Sequence, residues 1–176
     1  MRIAVSGTHR TGKSTLIEEL SRLFPKYKVV EEPYHLMVED EHEFSHPPAF
    51  EDYEAQLERS IEELSDDAGD VLFDRCPVDL LAYLMAHPDG DALDLEDWLP
   101  RIRDALGTLD LVVFVPIETP DRIEFAAADD PDDSRAAVDE RLRELLLEDS
   151  LELGLEVVEV SGGLDQRVAA ARRRIR

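Results

Sequence analysis

The sequence is poor in cysteine and contains no long apolar run. Cys76 is the single cysteine among 176 residues, which excludes an internal disulfide and a zinc site built from several cysteines, and agrees with a reducing compartment. No apolar run is long enough to cross a bilayer, and the first apolar stretch is not followed by a cleavage signal. Internal repeats and low-complexity linkers are also missing. We therefore expect one cytoplasmic domain over residues 1–176, large enough to bury a substantial core.

Positive charge is also scarce. Asp and Glu number 42 against 19 Lys and Arg, which gives a formal net charge of −23, and only Lys13, Lys26 and Lys28 are lysines. Such a field repels nucleic-acid backbones and anionic membranes, so we expect neither as a partner. An acidic, arginine-rich composition fits a halophilic or a high-GC source, and composition alone does not separate the two. Where an anionic substrate binds, the few cations must be concentrated.

A phosphate-binding motif lies near the start of the chain. GxxxxGK[ST] is matched between an apolar run typical of a buried strand and an amphipathic helical pattern, the context in which this motif binds nucleotides. Backbone N–H groups and the helix start hold the phosphates, while the lysine contacts the β- and γ-phosphates and the serine hydroxyl binds Mg²⁺. The alternative is an ordinary glycine turn before a helix. The predicted nucleotide-binding residues are Gly7, Thr8, His9, Arg10, Thr11, Gly12, Lys13, Ser14 and Thr15.

Short apolar runs alternate with helical patterns along the whole chain, as in a parallel α/β sheet. A helix is predicted directly after the phosphate-binding motif. The predicted strands are 2–7, 27–33, 70–74, 109–118 and 155–162, and the further predicted helices are 50–67, 77–87, about 134–153 and 165–175.

Asp74 ends the predicted strand 70–74, so its carboxylate emerges at the edge of the sheet where the phosphate-binding loop also lies. Three apolar residues followed by Asp form a Walker-B-like element, which can hold Mg²⁺ directly or through water. The alternative is that Asp74 caps the helix that follows. Beside it, Cys76 fits a small buried residue better than a reactive thiol, because no Cys-His-Asn constellation accompanies it.

Four segments in this order, GTHRTGKST, EEP, FDRCPVDLLAYL and DDSRAAVDERLREL, resemble the small P-loop kinases related to the ribosylnicotinamide kinase domain. They are more distantly similar to deoxynucleoside and nucleoside monophosphate kinases. The resemblance spans nearly the whole chain. It implies a P-loop NTPase three-layer α/β sandwich with a five-stranded parallel sheet of order 2-3-1-4-5. It also implies ATP and Mg²⁺ as cofactors, an acceptor site above the second and third strands, and a mobile helical lid over about 118–145.

The resemblance assigns further residues to the acceptor site. Arg75 looks like the arginine that orients the acceptor or the transferred phosphate, with a structural ion pair as the alternative. Glu32, with Glu31 second, resembles the glutamate that accepts or positions a hydroxyl proton; the alternative is a solvated glutamate. The family often has Ser or Thr where this chain has Cys76, so no hydroxyl role is expected there.

On the nucleotide side, Arg135 matches the arginine of the family's lid motif, and Arg141 and Arg143 follow on the next helix. One or two of them are expected to reach the γ-phosphate, with pairing along the helix as the alternative. Ser161 and Gly162 resemble the loop that packs against the nucleotide base.

The stretch HEFSH, from His42 to His46, matches the HExxH zinc-protease signature. That motif needs both histidines one turn apart on a continuous helix, and Pro47 directly after His46 disfavours helical geometry. We expect a loop flanking the acceptor site rather than a zinc site, and no role for His35 or His87.

These patterns predict a magnesium-dependent ATP kinase that phosphorylates a small molecule, with a nucleoside-like hydroxyl as the acceptor. One alternative is a nucleoside monophosphate kinase, in which the acceptor already carries phosphate. A second is a regulatory NTP-binding protein or slow NTPase; the chain lacks the guanine-reading Asn-Lys-x-Asp motif, which argues against a GTPase switch. The identity of the acceptor, ATP versus GTP preference and the oligomeric state stay open.

Overall fold

The computed structural model describes residues 1–119 and 134–175. Within them five strands alternate with helices. The strands are β1 (Arg2–Ser6), β2 (Lys28–Val30), β3 (Val71–Asp74), β4 (Leu111–Phe114) and β5 (Val157–Glu159). The helices are α1 (Lys13–Leu23), α2 (Pro33–Glu39), α3 (Phe50–Leu64), α4 (Pro77–Ala86), α5 (Leu95–Leu106), α6 (Ser134–Leu146) and α7 (Leu164–Arg172), with a short 3₁₀ turn at Gly90–Ala92. None of the helices in these two ranges is long and apolar enough to cross a membrane.

The five strands form one parallel sheet of order β2-β3-β1-β4-β5, which confirms the predicted order. In the central strand, Ala4 pairs with Phe73 on one side and with Val112 on the other. The carboxyl ends of β1 and β3 therefore lie side by side. This register brings the residues that follow Ser6 next to Asp74.

Both faces of the sheet are buried, as expected for a parallel sheet. Alternate side chains of β1 point to opposite faces: Ala4 packs against α3 to α6, whereas Ile3 and Val5 pack against α1 and α7. The result is the predicted three-layer sandwich. The N-terminus of α1 is held under the edge of the sheet where β1 and β3 end.

Two helices were not expected from the sequence. The pattern around α5 is interrupted by Pro100, yet its face bearing Trp98 and Ile102 is buried, and the Asp94 carboxylate caps its start by accepting the N–H of Asp97 at 3.2 Å. The short α2 begins with Pro33 at its first position, directly after the predicted strand. Tertiary packing thus outweighs weak local propensity in α5.

The predicted helix 134–153 is too long, because α6 ends at Leu146. Beyond it the backbone turns through positive φ angles at Asp149 and Glu152, and the Asp149 carboxylate accepts the N–H of Leu153 at 2.6 Å. The turn directs the chain back toward β5. Of the predicted lid, residues 120–133 lie outside the described residues. The part of the lid from residue 134 onward belongs to α6.

Candidate active site

The phosphate-binding motif forms the loop between β1 and α1, as its spacing predicts. Gly7 closely approaches the end of β4: a Cβ on Gly7 would lie 2.4 Å from the carbonyl oxygen of Val115. Gly12 has a φ of 89°, which side chains rarely adopt, and it is the N-cap of α1. Both glycines are therefore required by the shape of the loop.

Cationic side chains donate to each carbonyl oxygen from residue 7 to residue 11. They come from four different parts of the chain. The hydrogen bonds run from Arg75 to Gly7, from Lys13 to Thr8, from Arg135 to His9 and Arg10, and from Arg167 to Thr11, at 2.6 to 3.3 Å. The negative ends of the peptide dipoles are thereby covered, which favours an anion in the hollow of the loop. In a chain of net charge −23, these cations are concentrated at the loop, as the composition required.

Two side chains of α4 accept hydrogen bonds from loop N–H groups. The fully buried Asp79 carboxylate accepts the N–H of Gly7 at 2.9 Å, the N–H of Cys76 at 3.0 Å and the hydroxyl of Ser6 at 2.7 Å. One turn further along, the Tyr83 hydroxyl accepts the N–H of His9 at 3.1 Å. These bonds fix the first half of the loop against α4.

Lys13 is buried beneath the loop, 6% exposed. Burial, and secondly the charge of Arg75, lowers the pKa of Lys13 from 10.5 to about 7 despite the nearby Asp74 carboxylate. A bound polyphosphate would supply the negative charge that favours the ammonium form. The pKa shift therefore fits a lysine whose partner is a ligand.

Asp74 and Ser14 meet at the loop. The Ser14 hydroxyl lies 3.2 Å from Oδ2 of Asp74, whereas Oδ1 of Asp74 is buried and accepts no hydrogen bond from any described residue. Burial raises the pKa of Asp74 above its usual value, more than Lys13 and Arg75 lower it. A buried carboxylate oxygen with no donor, next to a hydroxyl, fits the oxygen ligands that Mg²⁺ prefers.

Glu32 and Arg75, which the sequence assigns separately, form one ion pair. Nε of Arg75 lies 2.6 Å from Oε2 of Glu32, and the same guanidinium donates to Gly7 at the start of the loop. Arg75 itself has a positive φ of 74°. Burial alone would raise the pKa of Glu32, but the charge and hydrogen bond of Arg75 lower it below 4.5. The carboxylate is thus ionised at neutral pH and lies next to the phosphate loop.

His35 has a contact that the sequence did not predict. On the first turn of α2, its Nε2 lies 3.5 Å from Oε1 of Glu32, while its Nδ1 lies 3.9 Å from Oε2 of Glu31. His35 thus lies near both glutamates, and the expectation that it has no role stays a prediction. Glu31 itself is exposed, which leaves Glu32 as the carboxylate nearer to the loop.

The two predicted lid arginines lie in different environments. Arg135 is 7% exposed and is placed on the loop, whereas the partly exposed Arg141 pairs with Glu144 on its own helix at 2.7 Å. The two arginines are six residues apart on α6, so their side chains leave the helix in directions that differ by about 120° around its axis. Arg143 pairs with Asp139 at 2.9 Å and donates to the backbone after β4, so it secures the position of α6.

Ser161 and Gly162 line a cavity of about 540 Å³ beside the end of β4. Gly162 has a φ of 87°, and its N–H donates to the Glu118 carboxylate at 2.6 Å. Arg167, which the sequence analysis missed, pairs with Glu118 at 3.0 Å and also donates to Gly162 and the loop. The predicted base-binding loop is therefore tied directly to the phosphate loop.

Thr15 is exposed in the first turn of α1. The HExxH stretch has no helical structure from His42 to His46, in agreement with its interpretation as a loop. The Asp52 carboxylate secures this loop on α3 by accepting the N–H groups of Ser45 and Ala49 at 3.1 and 2.8 Å. Cys76 is buried as predicted, 1% exposed, and burial raises the pKa of its thiol.

Comparison with known proteins supports the P-loop assignment. The sequence profile of the AAA domain family matches residues 2–167. No curated protein matches the sequence. Among solved structures, the NadR protein in complex with NR has a TM-score of 0.69 at 22% identity, and the match covers 98% of this chain and 49% of that chain. This chain therefore spans about half the length of NadR.

Two further structures are similar over most of their length. Deoxyadenosine kinase from M. mycoides with bound dATP has a TM-score of 0.60 at 15% identity, covering 99% of each chain. Thymidylate kinase from Candida albicans has a TM-score of 0.62 at 19% identity, covering 98% of this chain and 89% of that chain. The predicted resemblance to P-loop nucleoside and nucleotide kinases is thus confirmed at the level of the fold.

Proposed function

The chain belongs to the AAA domain family, and from this premise we propose that it is a magnesium-dependent kinase that transfers the γ-phosphoryl group of ATP to a nucleoside-like hydroxyl. The observation that carries the proposal is the Glu32–Arg75 ion pair beside the phosphate loop. A protein that only binds or hydrolyses NTP does not need a partly buried ion pair at the acceptor edge. Two of the similar solved structures, NadR in complex with NR and deoxyadenosine kinase, make a nucleoside-like acceptor the first choice.

In the proposed reaction, the acceptor oxygen attacks the γ-phosphorus, the bond from that phosphorus to the β–γ bridging oxygen breaks, and ADP leaves. Glu32 accepts the hydroxyl proton, and Arg75 keeps the Glu32 carboxylate ionised and directed toward the loop. Lys13 and Arg135 supply positive charge where charge develops on the transferred group. Ser14 and Asp74 would hold Mg²⁺, which would neutralise negative charge on the phosphates.

A nucleoside monophosphate kinase is the second candidate, because the guanidinium of Arg75 could equally orient an anionic acceptor. The presence of Glu32 favours the hydroxyl, since an ionised phosphate oxygen needs no base and is repelled by a carboxylate. The net charge of −23 supports a small-molecule acceptor rather than nucleic acid or a membrane surface, and a cytoplasmic location is part of the proposal.

The test is Glu32→Gln, assayed with Mg-ATP against ribosylnicotinamide, deoxyadenosine and dTMP. With a hydroxyl acceptor, the variant should lose roughly 10²- to 10⁴-fold in rate with little change in KM, because the amide keeps the shape but cannot accept the proton. The wild-type rate should fall only at pH values below the ordinary range of a glutamate carboxyl, since Arg75 lowers the pKa of Glu32, and the variant should lack this acidic limb.

The same assay separates the alternatives. Turnover of dTMP that survives Glu32→Gln would establish the monophosphate kinase. Hydrolysis of ATP without transfer to any of the three acceptors would favour the slow NTPase. An unimpaired variant on a hydroxyl acceptor would remove Glu32 from the role of base and move that role to Glu31 or Asp74.

A further inference from the structure

One face of α4 runs along the phosphate loop. Asp79 and Tyr83 lie four residues apart on α4, hence one above the other, and they contact loop residues that are two positions apart, Gly7 and His9. Asp79 is a buried carboxylate with three donors. Tyr83 differs, because its hydroxyl oxygen accepts the N–H of His9 at 3.1 Å and also lies 3.2 Å from Nδ1 of the same residue.

The ring of Tyr83 extends this contact to the acceptor side. The guanidinium carbon of Arg75 lies 5.3 Å from the centre of the Tyr83 ring, within the range of a cation–π interaction. On α3, Tyr53 stacks on Tyr83 with a centroid distance of 5.3 Å and an interplanar angle of 10°. Since Arg75 is paired with Glu32 at 2.6 Å, contacts run from the phosphate loop to the proposed base without a gap.

We propose that Tyr83 is a positioning residue that couples occupancy of the phosphate loop to the placement of Arg75 and Glu32. His9 belongs to the loop that a nucleotide phosphate fills, so a bound nucleotide changes the surroundings of its N–H and imidazole. The Tyr83 hydroxyl shifts with its partner His9, and the Tyr83 ring transmits that shift to the guanidinium of Arg75. This inference rests on the proposed function and adds a residue that the motif patterns did not identify.

The experiment uses the full chain with 3-fluorotyrosine at its four tyrosines and follows their ¹⁹F resonances as Mg-AMP-PNP is added. Single Tyr→Phe variants assign the signals. In the wild type, the resonances of Tyr83 and Tyr53 should shift, whereas Tyr27, packed against Phe24 on the opposite face of the sheet, should not. In Tyr83→Phe, the aromatic stack is kept but the hydroxyl is lost, so the shift at Tyr53 should disappear.

The affinity for Mg-AMP-PNP in Tyr83→Phe should stay within about threefold of wild type, because Lys13 and the N–H groups at the start of α1 are untouched. A merely structural role would lower the melting temperature and leave the Tyr53 response intact. A full Tyr53 shift in Tyr83→Phe would therefore overturn the coupling. Failure of the wild type to bind Mg-AMP-PNP, measured by calorimetry, would overturn the proposed function and the coupling with it.

A kinetic measurement gives an independent readout. With whichever of ribosylnicotinamide or deoxyadenosine is phosphorylated, Tyr83→Phe should lower kcat/KM for the acceptor about tenfold and leave KM for ATP unchanged. Tyr27→Phe is the matched control, because Tyr27 packs against Phe24 on the opposite face of the sheet. Equal losses in the two variants, or a loss confined to KM for ATP, would contradict the assignment.

Discussion

The two sides of the phosphate loop are secured by opposite chemistry. On the side of α4, an anion and a phenol accept hydrogen bonds from loop N–H groups at Gly7 and His9. On the other side, cations donate to the loop carbonyl oxygens. The donors are Lys13, Arg75, Arg135 and Arg167. The N–H side is built from one helix directly after β3, whereas the carbonyl side draws on α1, the end of β3, α6 and α7.

This difference has an electrostatic reason. Carbonyl oxygens that faced the hollow would repel phosphate, so turning them outward and covering them with cations removes the repulsion and adds a positive field. The N–H side needs no cations, because N–H groups do not repel phosphate. We infer that Asp79 on the α4 side sets the shape of the loop, and hence nucleotide binding, while Arg135 on the carbonyl side mainly affects the rate of transfer.

The largest effect is expected from Asp79→Ala. The variant leaves the N–H groups of Gly7 and Cys76 and the hydroxyl of Ser6 without their acceptor in a buried site, which should cost about 3 kcal/mol of unfolding free energy. Affinity for Mg-ADP should fall by roughly 10²-fold, because the start of the loop loses the hydrogen bond that holds it against α4. Urea denaturation and calorimetry measure the two quantities.

Asp52→Ala is the matched control for that variant. Asp52 is also a buried carboxylate that accepts two backbone N–H groups, but it lies on α3 and not at the loop. It should lower stability by about 1 to 2 kcal/mol and leave Mg-ADP affinity unchanged. If both variants weakened nucleotide binding equally, the role of the α4 side in shaping the loop would be wrong.

A smaller effect is expected for Arg135→Ala, with kcat lowered by about 10- to 10²-fold and ATP affinity changed much less. The reason is that a cation over the loop acts mainly on charge that develops during transfer. Arg141→Ala on the same helix should behave as wild type, because Arg141 pairs with Glu144 away from the loop. Steady-state kinetics of both variants with the same acceptor test this. Loss of ATP affinity without loss of kcat would remove Arg135 from the transfer step.

The smallest effect concerns the protonation of Lys13. Because its pKa is lowered to about 7, most of the empty protein carries neutral Lys13 at pH 8. A bound polyphosphate raises that pKa, so binding of Mg-ADP at pH 8 should take up close to one proton, and affinity should fall by less than tenfold from pH 7 to pH 8. Calorimetry in buffers of different ionisation enthalpy measures the uptake. Lys13→Met should show none, and a wild type with no uptake would contradict the lowered pKa.

Much of the fold could be predicted, because the apolar runs and the GxxxxGK[ST] spacing are local signals. The sheet order came from the resemblance and is confirmed. The predicted end of α6 was wrong. The chain turns through positive φ angles at Asp149 and Glu152, and no common turn motif in the sequence predicts them. In α5, Pro100 obscured a helix that burial of Trp98 and Ile102 stabilises.

The site was predictable where the motif itself supplies the residue, as with Lys13, Ser14 and Asp74. Arg167 and Tyr83 were missed because their partners are the loop backbone, 156 and 74 residues away in the sequence, and backbone groups leave no pattern. Asp79 offered a signal that was not used: a carboxylate at the start of the apolar helix pattern PVDLLAYL has to be buried with donors. The contact between His35 and Glu32 was overlooked because α2 was not predicted, and the start of that helix brings these two residues, three apart, close together.

The long sequence separations around the loop have a consequence for how the chain matures. Arg135 and Arg167 lie 126 and 156 residues from the loop residues they contact, and contacts this distant form late because loop closure opposes them. The loop is therefore synthesised long before its outer supports exist. A partly made or partly folded chain cannot present the finished cradle, so nucleotide capture reports completed folding. A nucleotide that binds the finished loop would then stabilise finished molecules selectively, by mass action.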